Sequence, residues 1–246
     1  MADEKRGLEL AKKLKGVTVV EGFPGIGLVG TIATGFLIDH LKCEKIGNYF
    51  FENHATPSMI AIHECKLVDP IGIYYNKKHN LVIIHAITSA TGQEWRAADL
   101  ILDVCQQTGA KELITIEGVG STEGQGTATT ESNAFYFSKD TQASKKLEKM
   151  GHQCLNEGII VGSTAAILLK SHLKTTCMFA ETHSKMPDSK AAAKIIQLID
   201  NYLGLKVDYK PLLKQAEEFE KKLKQIVAQG SKAQTLKQKK KFAYIG

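Results

Sequence analysis

VTVVEGFPGIGLVG, residues 17–30, sets a short β-branched run directly against a glycine-rich turn. Val17 to Glu21 has the composition of a buried strand, and Gly22 to Gly30 is a turn running into a helix that ends near Leu41. Such a strand–turn–helix passage is the opening of a unit that builds parallel sheets. Gly25, Gly27 and Gly30 also fit G-x-G-x-x-G in the context a dinucleotide fingerprint requires, and backbone amides at such a turn can receive a phosphate. Two features count against that use. Pro24 restricts the turn, and only Glu52 stands near the place of a ribose-binding acid. Close packing of helix on strand explains the same glycines.

Outward from this stretch, strand and helix patterns alternate. Ile46 to Phe51 has the pattern of a second strand, and Ile60 to His63 and Ile71 to Tyr75 that of a strand pair joined through Asp69-Pro70. Leu81 to Ile87 is a strongly apolar strand. Glu94 to Gln107 is helical, with Trp95, Ala98, Ile101, Leu102 and Cys105 in its apolar stripe and Gly109 closing it. Leu113 to Glu117, Phe135 to Phe137 and Cys177 to Glu181 are further strands. Gly162 leads into a helix near Ala165 to Ser171, and Asp188 caps another that runs through Leu203 to Gly204. The expected fold is α/β, a three-layer sandwich around a mainly parallel mixed sheet, with the antiparallel portion in Ile46 to Ile87. A C-terminal helix and a flexible basic tail follow. The expected divisions are 1–206 for the α/β domain, 207–228 for the helix and 229–246 for the tail.

Two more glycine-rich turns follow strands. Gly118, Gly120, Gly124 and Gly126 form one, and Gly162 with Ser163 and Thr164 forms the other. Loops at the carboxyl ends of parallel strands converge, so Gly25, Gly27, Gly30, Gly118 and Gly120 could line one ligand cleft. Ser121, Thr122, Thr127, Ser163 and Thr164 would offer hydroxyls to an anion there. Neither loop has a P-loop lysine, and Glu123, standing alone, gives no acid–base pair. No Ser lies in G-x-S-x-G. The histidines (His40, His54, His63, His79, His85, His152, His172 and His183) are scattered, without metal-ligand spacing, and His85 sits inside an apolar strand as a hydrogen-bonded core residue. Neither a catalytic site, a metal nor a cofactor is expected.

Composition narrows the class. Of 246 residues, 43% are hydrophobic and 24% charged, enough to bury a sizeable core. No apolar run approaches the ~20 residues of a membrane helix, and the opening MADEKRGLELAKKLK lacks a signal-peptide core, so a soluble cytoplasmic protein is expected. Cys43, Cys65, Cys105, Cys154 and Cys177 are odd in number and form no CxxC pair; they are expected as buried reduced thiols. The net charge of +6 comes mostly from Lys232, Lys237, Lys239, Lys240 and Lys241. Base-stacking aromatics are not interleaved with them, which disfavours nucleic acid as the partner of such a tail, and an acidic protein surface would serve equally well.

Leu212, Ala216, Phe219, Leu223 and Ile226 are spaced four, three, four, three, a heptad seam. The seam either packs on its own domain or pairs with another subunit. Beyond Gly230 a basic linker leads to an apolar tip, Phe242, Ala243, Tyr244, Ile245 and Gly246. That tip docks on a partner, folds back on its own domain, or stays disordered.

GFPGIGLVG resembles the opening signature of the proteasome assembly chaperone family. The likeness continues, in order, at IEGVGS (116–121), GIIVGSTAAILL (158–169), ETHSKMPDSKAAA (181–193) and Val207-Asp208, and covers Val17 to Ala228. The resemblance implies an α/β/α sandwich without established catalysis and oligomers that bind 20S proteasome α-subunits and help build the core particle without ATP. For an archaeal-type member it implies homo-oligomers. Some members carry tails resembling the hydrophobic–tyrosine–any motif of proteasome activators, which points to Phe242, Tyr244, Ile245 and Gly246 as protein-binding residues. Here Tyr244 is third from the end, one place out of register. The alternative is a phosphate- or nucleotide-binding protein or enzyme using the glycine-rich loops.

Overall fold

The computed structural model describes residues 8, 10–51, 60–63, 65–120, 133–182 and 186–211. In chain order the elements are β1 (Thr18–Gly22), α1 (Val29–His40), β2 (Glu44–Tyr49), β3 (Ala61–His63), β4 (Lys66–Val68), β5 (Ile71–Asn76), β6 (Leu81–Ala86) and α2 (Glu94–Gln107). Then follow β7 (Glu112–Gly120), β8 (Ala134–Ser138), α3 (Thr141–Lys149), β9 (Gln153–Cys154), α4 (Ser163–Lys170), β10 (Thr175–Thr182) and α5 (Ser189–Leu203). Eight strands form one sheet in the order β2-β5-β6-β1-β7-β10-β8-β9. The central β6, β1, β7 and β10 run parallel, and β2–β5, β5–β6 and β8–β10 pair antiparallel. The expected mixed, mainly parallel sheet is therefore present.

Strand alternation sends apolar side chains into two cores. Val20, Leu81, Ile83, Ile114 and Met178 pack with residues of α1 and α5. Val17, Val19, Val82, Ile84 and Leu113 pack with residues of α2 and α4. Each central strand is thus buried on both faces, which is why these runs are continuously apolar rather than alternating. Asp188 caps α5 by accepting from the Ala191 amide at 3.0 Å, and Gly204 closes the helix in the left-handed region at φ 68°.

Several expectations change. Ile60 to His63 does not pair with Ile71 to Tyr75. Ala61–His63 pairs with Lys66–Val68 in a separate two-stranded ribbon, while β5 lies between β2 and β6. Gly118 and Gly120 belong to β7 rather than to a loop, because β10 pairs alongside through Thr182 opposite Gly120. Trp95 starts α2 beyond the edge of the core and is exposed, with the Lys170 ammonium 5.9 Å from its ring centre. The thiols are not uniformly buried. Cys105 and Cys177 are, but Cys65 lies at the turn of the β3–β4 ribbon and Cys154 on the edge strand β9, and both are exposed. α3 and β9 had no counterpart in the pattern analysis. The helix expected from Asp208 enters the described residues only at Lys210 and Pro211. The seam at Leu212, Ala216, Phe219, Leu223 and Ile226 and the tip at Phe242, Tyr244, Ile245 and Gly246 lie outside the described residues.

Candidate functional site

The glycine-rich turns do meet. β1 feeds α1, which returns towards β6; β6 feeds α2, which crosses over β1 to β7. The connections from β1 and β7 leave in opposite directions, so the topological switch point, where ligands gather in open α/β sheets, lies between these two strands. The quoted sequence blocks assemble at its carboxyl end.

Most of the glycines there serve close packing. A side chain at Gly22 would place its Cβ 2.3 Å from the Gly30 carbonyl oxygen, and one at Gly30 would come within 2.9 Å of the Ile116 carbonyl oxygen. A Cβ at Gly118 would stand 2.1 Å from the Ile26 carbonyl oxygen. The turn over residues 26–28 therefore lies directly on β7. Gly27 takes φ 66°, which favours glycine, and its carbonyl accepts from the Asp188 amide at 2.8 Å. Thr182 at the end of β10 donates to the Asp188 carboxylate at 2.9 Å. The opening signature, the second glycine block and the block carrying Pro187-Asp188 are thus one packed unit. Gly120 has nothing within 4 Å of its Cβ position and plays no part in this packing.

Two acids that the sequence analysis passed over lie at the centre. Glu21 lies one residue before the end of β1 and Glu117 near the end of β7. The register sets Glu21 opposite Thr115, so Glu21, Thr115 and Glu117 share the face covered by α2 and α4. Glu21 is 1% exposed, and neither carboxyl oxygen makes a well-formed hydrogen bond. Burial, then the neighbouring Glu117, push its pKa well above the ordinary carboxylate range; the Phe23 amide pulls weakly the other way. Burial pushes Glu117 up to about 7, opposed by a hydrogen bond with Thr164. One Glu117 oxygen, Oε2, is buried without a partner. Cys105 of α2 and Cys177 of β10 are both driven up to about 12, chiefly by burial, so they sit there as neutral thiols.

The glycines of the two flanking turns border this pair. A Cβ at Gly25 would lie 3.9 Å from Glu117 Cγ, and one at Gly162 would lie 3.9 Å from Glu117 Oε1. Thr164 of α4 is buried and bonded to Glu117. Of the residues expected to line one cleft, Gly25, Gly27, Gly30 and Gly118 are brought together with Gly162 and Thr164, while Ser121, Thr122, Glu123, Gly124, Gly126 and Thr127 lie outside the described residues. The signal for the acids was present: VTVVEG and LITIEG both end an apolar strand with Glu-Gly.

Other candidates resolve simply. His85 Nδ1 lies 2.9 Å from the Thr34 hydroxyl, and burial holds the imidazole neutral with its pKa lowered to about 4. No cluster of three or more His, Cys, Asp or Glu fit to hold a metal occurs among the described residues. No helix among them is long and apolar enough to cross a membrane.

The PAC2 family model matches residues 19–227, which spans the whole assembly of glycine turns and the α5 block. The chain belongs to the PAC2 family. Among solved structures, this PAC2 chain is similar to PbaA of Pyrococcus furiosus, an archaeal homologue of proteasome-assembly chaperone. The two share 29% identity with a TM-score of 0.76, covering 93% of this chain and 99% of PbaA. PbaB of the same organism, an archaeal proteasome activator, matches with 23% identity and a TM-score of 0.70 over 89% of this chain and 98% of its own, a likeness of fold. An uncharacterised protein of Methanocaldococcus jannaschii is 24% identical over 249 residues, covering 100% of both chains. The resemblance drawn from the separated sequence blocks thus places the chain in the right family.

Proposed function

We propose that this PAC2 protein is a non-catalytic proteasome-binding adaptor or assembly chaperone, working as a homo-oligomer that captures 20S α-subunits in the cytoplasm. The observation that carries this reading is the likeness to PbaA at 29% identity over 93% of the chain, across an unbroken family match. In this reading the body through residue 206 is a three-layer sandwich serving as scaffold. The helix over residues 207–228 contributes its heptad seam to assembly, and the basic tether over 229–246 projects Tyr244, Ile245 and Gly246. Several tails on one oligomer would bind multivalently, raising avidity without any new contact.

The body has surface suited to partners as well. Ile159 is 93% exposed and Leu169 75%, with Val161 and Trp95 also exposed on and beside α4 and α2. Large apolar side chains left this exposed are where a partner surface would be sought. The rival reading, an anion or phosphate at the glycine turns, loses support from the same geometry. The turns close on Glu21 and Glu117, two carboxyl groups that repel an anion whenever they ionise.

The test is a pull-down of α-subunits and of the finished core particle with the full-length chain and with a copy ending at Lys241. Capture by the full-length chain alone assigns docking to the last five residues. Equal capture by both moves the contact to the body, and capture by neither removes the proteasome reading.

A further inference from the structure

Glu21 is a buried acceptor pair without well-formed bonds, and Glu117 stands beside it with a second unpartnered oxygen. A buried polar group left unpaired costs about 1–3 kcal/mol, and more when charged. Proteins tolerate such a cost where a ligand, proton or water completes the bonding. The position is the switch point of the sheet, the place where open α/β folds bind ligands. Gly25 and Gly162 border Glu117, and neither brings a side chain toward it. Gly25 is exposed and Glu117 partly exposed, so a group approaching from this side meets Glu117 first, with Glu21 buried behind it. Among the described residues, no lysine, arginine or histidine acts on either carboxyl group. Among the described side chains, the Thr164 hydroxyl donates to Glu117, and the remaining oxygens of the pair keep their acceptor capacity.

We propose that the Glu21–Glu117 pair at the carboxyl ends of β1 and β7 binds an ammonium or amidinium group, carried by a small amine or by an arginine or lysine side chain. Such a group supplies several N–H donors to carboxylate acceptors and makes charge-assisted bonds stronger than neutral ones. It removes both the unpaired oxygens and the repulsion between the two acids. Arginine-type groups fit best, because a planar fork can bond two oxygens at once. Binding requires the ionised carboxylate. Since burial holds Glu117 protonated up to about pH 7, binding in mild acid must expel a proton.

The probes are agmatine and the blocked tripeptide acetyl-Gly-Arg-Gly-amide, titrated calorimetrically into the full-length protein near pH 6 in buffers of different ionisation enthalpy. Saturable binding of either probe, with a heat that tracks the buffer because a proton is released, is the expected result. Binding of agmatine alone identifies a small amine as the source, and binding of the peptide alone identifies a protein side chain. Glu117→Gln should weaken binding at least tenfold and abolish the buffer dependence. Gly25→Val gives a second check: Gly25 has φ −128°, which L-residues adopt freely, and its new side chain would narrow the space in front of Glu117. It too should lose binding while the protein stays folded by circular dichroism. No saturable heat with either probe up to ~10 mM, or undiminished binding by both variants, overturns the proposal. The proteasome pull-down is read independently, so either idea can fail without the other.

Discussion

At the scale of single residues, Glu117 is the group whose chemistry is most displaced from its ordinary state. Its pKa rises from 4.5 to about 7 because burial penalises the charged form. A carboxyl group that is more basic in the folded chain contributes fully below its unfolded pKa. That contribution is lost as pH climbs through the folded value. The native state should therefore lose stability between about pH 4.5 and 7, on the order of 2–3 kcal/mol from this group. Glu117→Gln keeps the shape and removes the ionisation, so it should match the parent near pH 4 and exceed it near pH 8 by that amount. Urea denaturation at the two pH values measures the difference, and equal midpoints at pH 8 would show that Glu117 is not desolvated in solution. His85 works in the opposite sense. Its lowered pKa, about 4, makes its contribution present above the usual imidazole range and lost as pH falls from about 6.5 towards 4. Its ring resonances should accordingly titrate near pH 4 rather than 6.5 when followed by NMR.

At the scale of elements, the glycines separate into those that hold the packing and those that do not. Gly118→Ala would push a Cβ to 2.1 Å from the Ile26 carbonyl oxygen, a backbone atom of a turn already pinned by the Gly27–Asp188 hydrogen bond. Gly120→Ala meets nothing within 4 Å. The first should cost about 3 kcal/mol or more, as overpacking does, and the second should stay within about 0.5 kcal/mol of the parent. Thermal melts of the two alanine variants decide it, and equal melting temperatures would mean the turn does not rest on β7. The same elements show what the chain made legible. α5 could be placed from its ends alone, because Asp188 is an N-cap and Gly204 takes the left-handed C-cap, each a local signal. α2 was legible by periodicity, but Trp95 was misplaced, since the stripe tells which side faces inward and not where the core stops. α3 escaped because only Ala143 and Leu147 of its nine residues are buried, leaving almost no apolar period to see. The partner of Ile60 to His63 was wrong for a different reason. A short apolar run carries its own β preference but not the identity of its neighbour, which the ribbon turn at Cys65 sets. In the site, the glycines were visible as motifs. The two acids were not, because a Glu-Gly at the end of an apolar run looks like the solvent end of a strand, and only the parallel register of β1 and β7 brings the two onto one covered face.

At the scale of the whole molecule, the open question is which surface meets the partner, and exposed apolar groups separate the choices. Ile159 and Leu169 stand almost free of their own fold, on and before α4. Replacing either with aspartate removes little burial, so stability should change by no more than about 0.5 kcal/mol. If these side chains carry an interface, the double variant Ile159→Asp, Leu169→Asp should lower the mass measured by light scattering, or reduce α-subunit capture, by tenfold or more in affinity. Charge placed at the centre of an apolar contact must be desolvated there, which such contacts do not repay. The β3–β4 ribbon makes a control, since Ile62 and Leu67 face each other in register at 71% and 70% exposure on a different part of the chain. Ile62→Asp with Leu67→Asp should leave the α4-dependent signal intact if binding is confined to the α4 face. Loss in both variants would instead indicate a broad body interface, and loss in neither, together with loss on removing residues 242–246, would give the binding energy to the tails acting in parallel.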